Sequence, residues 1–478
     1  MAGSIPKTKI VATLGPASAS VQVVTQLIKA GANVFRVNFS HGTYEQHTQT
    51  LKTIKQAAQS TGYMPGILAD LCGPKIRTGN TPDNKPVMLK KGSRVRVRPG
   101  DGVCSSAEIF VSYRKLAQEV AVGCKVLIND GAIRLTVLQV DPVAQALLCR
   151  VENNGSFSSH KGVNFPGVEL SIPAITAKDR KDLAFILKND FSIVALSFVQ
   201  RAADLAPVRA AIKRAKKRVK IIAKIEKPEA IKELDAILDA CDGIMVARGD
   251  LGVECPPWQV PILQKNLIRA ANFKGKMVIV ATQMLESMIV NPLPTRAETT
   301  DVANAIIDGT DATMLSAETA AGAYPVEAVA TMRRIAETTE ESPYFPHDIK
   351  DLCLGAPRAS HAICEAAAWA SRDLSNIPAI VFTLSGDTVI YLSKIRYPAP
   401  IYAFSPDPQI VSMLALAWNT RAFLLPFESD LVALKRMAER ILMEEKCVKN
   451  GSQVVVLSGT TPIRGATNML RVKRIGEE

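Results

Sequence analysis

A lysine and two carboxylates close to the ends of apolar runs are the residues of this chain best suited to chemistry. Lys224 and Glu226 follow Ile221-Ile222-Ala223, and Asp250 follows Met245-Val246-Ala247-Arg248-Gly249. Residues two apart in a β-strand share a face, so Lys224 and Glu226 point the same way, and Asp250 is expected to end the next strand in the same manner. Two carboxylates with few competing ligands suit a hard, oxygen-preferring divalent cation. The competing reading of these residues is a buried structural ion pair.

Such groups need a scaffold that brings several strand ends together. From its N-terminus the chain alternates strand and helix patterns, as parallel βα units do. Eight strands are expected, at Lys9–Thr13, Val34–Asn38, Gly66–Asp70, Ile193–Phe198, Val219–Ile225, Gly243–Ala247, Val278–Thr282 and Ala312–Ser316. Helical spacing of apolar residues falls between most of them, for example at Val21–Ala30, Pro228–Ala240, Val260–Ala271 and Thr300–Ile307. The fold class predicted is α/β, a closed (β/α)8 TIM barrel whose reactive residues gather at the carboxyl ends of the strands.

The alternation breaks once, between Asp70 and about Pro166, where short β-like runs such as Ser93–Val97, Lys125–Ile128 and Ala146–Arg150 take over. A small β-barrel is therefore expected as an insertion at 71–165, rising from the mouth as a lid that excludes water. The barrel itself spans 1–70 and 166–340, and 341–478 reads as a separate C-terminal α/β domain.

Composition narrows the function. The chain has 478 residues, enough for several domains, with 47% hydrophobic and 22% charged residues. No apolar run approaches the ~18 residues that cross a bilayer, so no membrane association is expected. The opening residues lack the apolar core of a signal peptide, and the cytoplasm is the expected location. Nine cysteines without a C-x-x-C pair indicate reduced thiols. A net charge of +13 raises the question of nucleic acid. The densest basic run, Lys213 to Lys220, reads as the C-terminal end of a helix beginning near Ala203, and no aromatic residue interleaves with it. No nucleic-acid partner is expected; polyanionic small substrates explain the charge equally well.

The polar residues at the expected strand ends are Arg36, Asn38 and Ser40, then Asp70, Lys224 and Glu226, Asp250, Thr282, and finally Ser316 and Glu318. A metal held by Glu226 and Asp250, with Arg36, Arg77 and Lys224 around it, is an arrangement for stabilising a transferring phosphoryl group. There is no G-x-x-x-x-G-K-[ST] loop, no G-x-G-x-x-G after a strand and no H-E-x-x-H. With five histidines, of which only His41 lies near a strand end, histidine-led catalysis is not expected.

The runs Lys9 to Pro16, Asn38-Phe39-Ser40-His41-Gly42, Lys224-Ile225-Glu226, Met245 to Gly252, Ala281 to Met288, Pro294 to Glu298 and Met314 to Thr319 together resemble the pyruvate kinases, over almost the whole chain. The resemblance implies transfer of the phosphoryl group of phosphoenolpyruvate to ADP, giving ATP and an enolate that is protonated to pyruvate. It implies that Glu226 and Asp250 hold Mg²⁺ or Mn²⁺, that Lys224 stabilises the transferring phosphoryl, and that Arg36 clamps the substrate phosphate. Arg77 and Lys161 would approach the nucleotide phosphates. Thr282 would sit beside the enolate carbon, Gly249 would offer backbone N–H to the substrate carboxylate, and Ser316 and Glu318 would order the water chain that delivers the proton. A homotetramer is also implied, with 341–478 serving effector binding and oligomerisation.

The chain departs from the common pattern in places. Members that require K⁺ hold it at positions equivalent to Asn38, Ser40, Asp70 and the carbonyl of Leu71, and carry Glu where this chain has Lys75. The resemblance is to the bacterial-type, potassium-independent subgroup, since an ammonium near the site replaces the monovalent charge. Asn129 and Gln200 replace a usual aspartate and arginine. The loop Thr383-Leu384-Ser385-Gly386-Asp387-Thr388, with Ser458-Gly459-Thr460, resembles a phosphate-binding effector loop. Leu384 and Asp387 stand where members that bind fructose bisphosphate have basic residues, so a sugar monophosphate or AMP is preferred. Two other readings remain: a Mg²⁺-dependent aldolase-like barrel handling phosphoenolpyruvate or an enolate, and a basic nucleic-acid-binding regulatory protein.

Overall fold

The computed structural model describes residues 6–345, 359–426, 428, 431–459 and 467–477. Eight parallel strands close a barrel: β1 (Lys9–Thr13), β2 (Val34–Asn38), β3 (Gly66–Asp70), β4 (Ile193–Leu196), β5 (Lys220–Ile225), β6 (Gly243–Ala247), β7 (Met277–Ala281) and β8 (Ala312–Leu315). They pair in chain order, and β8 closes on β1 with Ala312 opposite Lys9. Their near-continuous Val, Ile, Leu and Ala content suits strands buried on both faces. One face packs on the surrounding helices, and the other fills the barrel with side chains such as Val34, Leu68, Ile222 and Ile279.

The expected helix over Pro228–Ala240 is two helices, Pro228–Lys232 and Leu234–Ala240, with the backbone leaving helical geometry at Glu233. Apolar spacing does not signal this break, because Ala230 and Ile237 are seven apart and share a face either way. The helix expected from near Ala203 begins as a 3-10 turn, Ala202–Leu205, and becomes α-helical at Ala206 through Arg214.

Strands β3 and β4 are neighbours in the barrel, so the intervening chain is an insertion. It forms a six-stranded sheet and a separate two-stranded one, with a core of its own around Val95, Val97, Leu135 and Leu147. In Arg94–Pro99 the valines are buried and the arginines exposed, the alternation of a strand with one wet face. The C-terminal region forms a five-stranded sheet with one antiparallel edge, Thr467–Arg474. It docks beneath the barrel, at the amino ends of the strands. Ala415 and Leu416 join the side chains inside the barrel, and Ser412 bonds Pro65 and Ser192 just ahead of β3 and β4. The mouth is left to the lid. Among the described residues no helix is long and apolar enough to cross a membrane.

Candidate active site

β5 carries Lys224 to the mouth, where its Nζ lies 2.9 Å from Glu226 Oε1 and 3.3 Å from Asp70 Oδ1. It also donates to Ser197 Oγ at 2.8 Å. Glu226, just past β5, is fully buried, and its Oε2 accepts the Phe198 N–H at 2.7 Å. Phe198 adopts φ +56°, a conformation uncommon for a bulky residue, to present that N–H. From β2, Arg36 reaches Asp70 Oδ2 through Nε at 2.8 Å and Nη2 at 2.7 Å, and Thr13 Oγ1 through Nη1 at 3.1 Å.

Burial works against the Lys224 ammonium, but Asp70 and Glu226 outweigh it and raise its pKa above the ordinary lysine value. Burial likewise opposes the Asp70 carboxylate, and Lys224 with Arg36 overcome it, so Asp70 titrates below its usual range. Glu226 goes the other way: burial raises its pKa, Lys224 counteracts this and Asp250 adds to it.

Asp250 does not end β6 as expected. The strand stops at Ala247, and Asp250 lies in the first turn of the helix Arg248–Glu254. Its Oδ1 is 3.4 Å from Lys75 Nζ, and a quarter of its side chain is exposed. Glu226 Oε1 has Lys224 nearby but no satisfied hydrogen bond. One buried carboxylate oxygen held by an ion pair alone and one partly exposed carboxylate fit an oxygen-preferring divalent cation. Among the described residues no cluster of three or more His, Cys, Asp or Glu is poised for a metal. Two carboxylates, with substrate and water oxygens completing the shell, is the mode Mg²⁺ favours.

Across the mouth, Thr282 and Gln283 adopt φ +68° and +53°. A β-branched residue there is strained, and the surroundings hold it. Thr282 Oγ1 accepts the Gly249 N–H at 2.7 Å, and Arg248 donates to the carbonyls of Thr282 and Gln283 while pairing with Asp301 at 2.6 Å. A Cβ on Gly249 would lie 3.4 Å from Thr282 Oγ1, an ordinary contact, so the Thr282 side of this position does not itself require glycine. Glu318 is fully buried and accepts the N–H groups of Ser316 at 2.6 Å and Leu285 at 3.1 Å, tying together the loops that follow β8 and β7.

Arg77 and Lys161 lie on the stem of the lid. Arg77 Nη1 donates to the His160 carbonyl at 3.1 Å, and the Lys161 N–H donates to Thr78 Oγ1 at 3.0 Å. Arg77 is therefore turned to the stem, whereas Lys75 reaches Asp250.

Residues 5–329 match the family described as pyruvate kinase, barrel domain, and 361–473 match pyruvate kinase, alpha/beta domain. The chain belongs to the pyruvate kinase family. It is 44% identical to pyruvate kinase 2 of Synechocystis sp. over 98% of this chain and 79% of that protein. It is 42% identical to a pyruvate kinase of Mycobacterium tuberculosis, covering 98% of each. The crystal structure of a pyruvate kinase from Cryptosporidium parvum matches with TM-score 0.91 and 35% identity, over 98% of this chain and 96% of that one.

In this chain the residues that the resemblance assigns to a K⁺ site are engaged internally. Asn38 Oδ1 accepts the Ser40 N–H, Asp70 serves Arg36 and Lys224, and the Leu71 carbonyl accepts Ser197 Oγ at 2.7 Å. Ser197, Thr13 and Arg248 are residues of the mouth that sequence reasoning missed. Ser197 was inside an expected strand; it directly follows β4, on the face of Ile193 and Ala195 that looks into the barrel, and meets Lys224 there. In the C-terminal loop Thr383 Oγ1 accepts the Gly386 N–H at 2.9 Å, and Ser385 Oγ donates to Asp387 at 2.9 Å. The Leu384 carbonyl accepts Arg218 at 2.6 Å, and Thr388 pairs with Thr467 at 2.8 Å. Arg218 also pairs with Asp407 at 3.0 Å and Lys220 with Asp242 at 3.4 Å, so the later part of the basic run serves ion pairs rather than a solvated helix end. Thr460 lies outside the described residues.

Proposed function

We propose that this chain moves the phosphoryl group of phosphoenolpyruvate to ADP in a Mg²⁺-dependent reaction, giving ATP and pyruvate. Family membership carries the reaction class, and one observation carries its location: the buried Glu226 carboxylate, ion-paired with Lys224 and within electrostatic reach of the partly exposed Asp250. Mg²⁺ or Mn²⁺ held by Glu226 and Asp250 would supply charge neutralisation and a template for the substrate oxygens. Lys224, kept charged by Asp70 and Glu226, would oppose the negative charge on the transferring phosphoryl group in a partly dry site, where such charge counts most. Arg36 is held in place by Asp70 and Thr13, ready to clamp the substrate phosphate. Thr282 and the Gly249 backbone would meet the enolate end. Glu318 has both oxygens on backbone N–H groups, which favours a role in fixing Ser316 over one in carrying the proton. The lid would bring Arg77 and Lys161 to the nucleotide phosphates. A Mg²⁺-dependent aldolase-like barrel would need neither the lid nor its lysine.

Lys75 stands in for K⁺, since its ammonium lies at the metal carboxylate Asp250. Rates in Na⁺ or tetramethylammonium salts are expected within about twofold of those in K⁺, and a dependence of about tenfold or more overturns this assignment. Exposed Trp258 and Ile262, after β6, and Val290 and Leu293, after the neighbouring β7, support self-association as a homotetramer. Asp387 in the effector loop disfavours a bisphosphate and leaves a sugar monophosphate or AMP as the preferred effector. The enzyme would work in the cytoplasm. The deciding assay is pyruvate formation from phosphoenolpyruvate, ADP and Mg²⁺ by the wild type and by Lys224→Met: formation by the first and near-loss by the second is expected, and no pyruvate from the wild type rejects the reading.

A further inference from the structure

The helix Arg248–Glu254 carries Asp250 and, one turn later, Glu254. Residues four apart share a helix face, and both of these carboxylates look toward the stem of the lid. Lys75, where the chain leaves the barrel, reaches Asp250; Asn164, where it returns, donates Nδ2–H to Glu254 Oε1 at 2.7 Å. Asn164 belongs to the lid sheet proper, pairing with Leu127, and its neighbour Val163 bonds the Ile76 carbonyl. Asn164 and Glu254 are both more than nine-tenths buried. A small cavity beside the contact is lined by Lys75, Phe198, Gln200 and Lys227 as well as by the pair. Phe198 is the residue whose N–H holds Glu226. The contact is made to the helix that bears Asp250, and it shares the lining of one cavity with Phe198, which supports Glu226.

We propose that Asn164 and Glu254 form a latch that transmits the attitude of the lid to the helix bearing Asp250, making both of them positioning residues for the metal site. A burial-driven domain contact would use apolar side chains; a buried carboxylate on a neutral amide is directional, so its geometry is fixed by both bodies. Opening the lid carries Asn164 away and leaves Glu254 without its donor, and the helix must answer. Metal affinity and lid closure are coupled by this one bond.

The proposal rests on the phosphotransferase reading for its catalytic meaning, but its test reads metal binding directly. Mn²⁺ is titrated into the intact protein, and the Mg²⁺ requirement of pyruvate formation is measured alongside. Asn164→Asp sets a second carboxylate against Glu254 and is expected to weaken Mn²⁺ binding at least about fivefold, with a matching rise in the Mg²⁺ needed for half-maximal rate. Asn164→Ala, which removes the donor without adding charge, should shift both in the same direction by about twofold or more. The double variant Asn164→Asp with Glu254→Gln reverses the hydrogen bond and should return both to within about twofold of wild type. Unchanged Mn²⁺ binding in the single variants, or losses that add in the double variant instead of cancelling, overturns the latch. Absence of pyruvate from the wild type with the Mn²⁺ pattern intact would reject the reaction and leave the latch standing.

Discussion

Both ends of the barrel gather carboxylates, lysines and arginines, and only one end is built for chemistry. At the amino end Asp311, just ahead of β8, takes Lys394 and the Val278 N–H on one oxygen and Arg396 on the other, with Arg396 stacked 4.5 Å over Trp418. Lys394 is completed by Asn272, and all three charged groups are fully buried. Asp311 has no oxygen left for a ligand. At the carboxyl end Lys224 meets more than one carboxylate, Glu226 Oε1 is held only by that ion pair, and Asp250 is partly wet. The lysines record the difference: Lys394 is fully buried and Lys224 mostly so, yet Lys224 is raised while Lys394 is lowered to about 8. Both sets leave a buried atom without a hydrogen bond, Arg396 Nε at one end and Glu226 Oε1 at the other, so what separates them is access to water: the mouth keeps the partly exposed Asp250, while Asp311, Lys394 and Arg396 are sealed in a domain contact.

Removing a charge from each end puts this contrast to the test. Lys224→Met should cut kcat by roughly 10³, because the lost group acts on charge that develops during the reaction. Its stability cost should be smaller than at the amino end, because Asp70 keeps Arg36, and Glu226, whose pKa burial raises, can take up a proton. Asp311→Ala should do the reverse: about 3–5 kcal/mol of stability is lost by stranding two buried cations, with kcat per folded molecule nearly unchanged. Denaturant titration beside steady-state kinetics measures both. A Lys224 variant that mainly unfolds, or an Asp311 variant that stays stable but inactive, erases the distinction.

A finer cut concerns Lys75, the cation added at the mouth. Lys75→Glu should introduce a dependence on K⁺ of about tenfold or more, since Asp250 then faces a carboxylate that only an added cation can neutralise. The same substitution should leave the amino end untouched, so stability measured in K⁺ stays within about 1 kcal/mol of wild type. If Lys75→Glu works equally well in Na⁺, the ammonium is not replacing a monovalent ion.

The barrel was legible because parallel strands buried on both faces read as short apolar runs, and all eight were found to within two residues at either end. Lys224 and Glu226 were legible for the same reason: charge at the end of such a run is conspicuous. What stayed hidden is side-chain aim. Ser197 and Thr13 are ordinary hydroxyl residues until the barrel closes and sets them beside Lys224 and Arg36. Arg248 is one residue within an apolar-led run and carries no signal of a partner, yet it fastens the strained Thr282 turn from across the mouth. Asp250 was found as a residue but not as an element, because a helix that starts straight after a strand leaves no loop in the pattern. The domain contact at Asp311 was invisible, since nothing in local spacing ties it to Lys394 and Arg396, more than eighty residues on.

The smallest effect is also the most direct reading of the amino end. Burial lowers Lys9 and Lys394 to about 8, with Glu340 and Asp311 only partly restoring them. The unfolded chain holds these protons up to about 10.5, so between about 8 and 10.5 it binds more protons than the folded one, and unfolding becomes harder as pH rises. Buried thiols oppose this above their ordinary value of 9: Cys149 and Cys364 are pushed up to about 12 and Cys241 to about 11 by burial, so folding keeps protons that the unfolded chain would release. The window of pH 8 to 9 isolates the lysine when two proteins are compared, because the thiols, half titrated in the unfolded chain by pH 9, contribute alike to both. Across it the stability of the wild type relative to Lys394→Met should rise by on the order of 1 kcal/mol. Lys224 supplies the internal control, because its raised pKa keeps it protonated in both states throughout that window, and Lys224→Met should leave the slope as it is. Equal slopes for wild type and Lys394→Met would mean that Asp311 fully compensates the buried ammonium, and the amino end would then differ from the mouth in location alone.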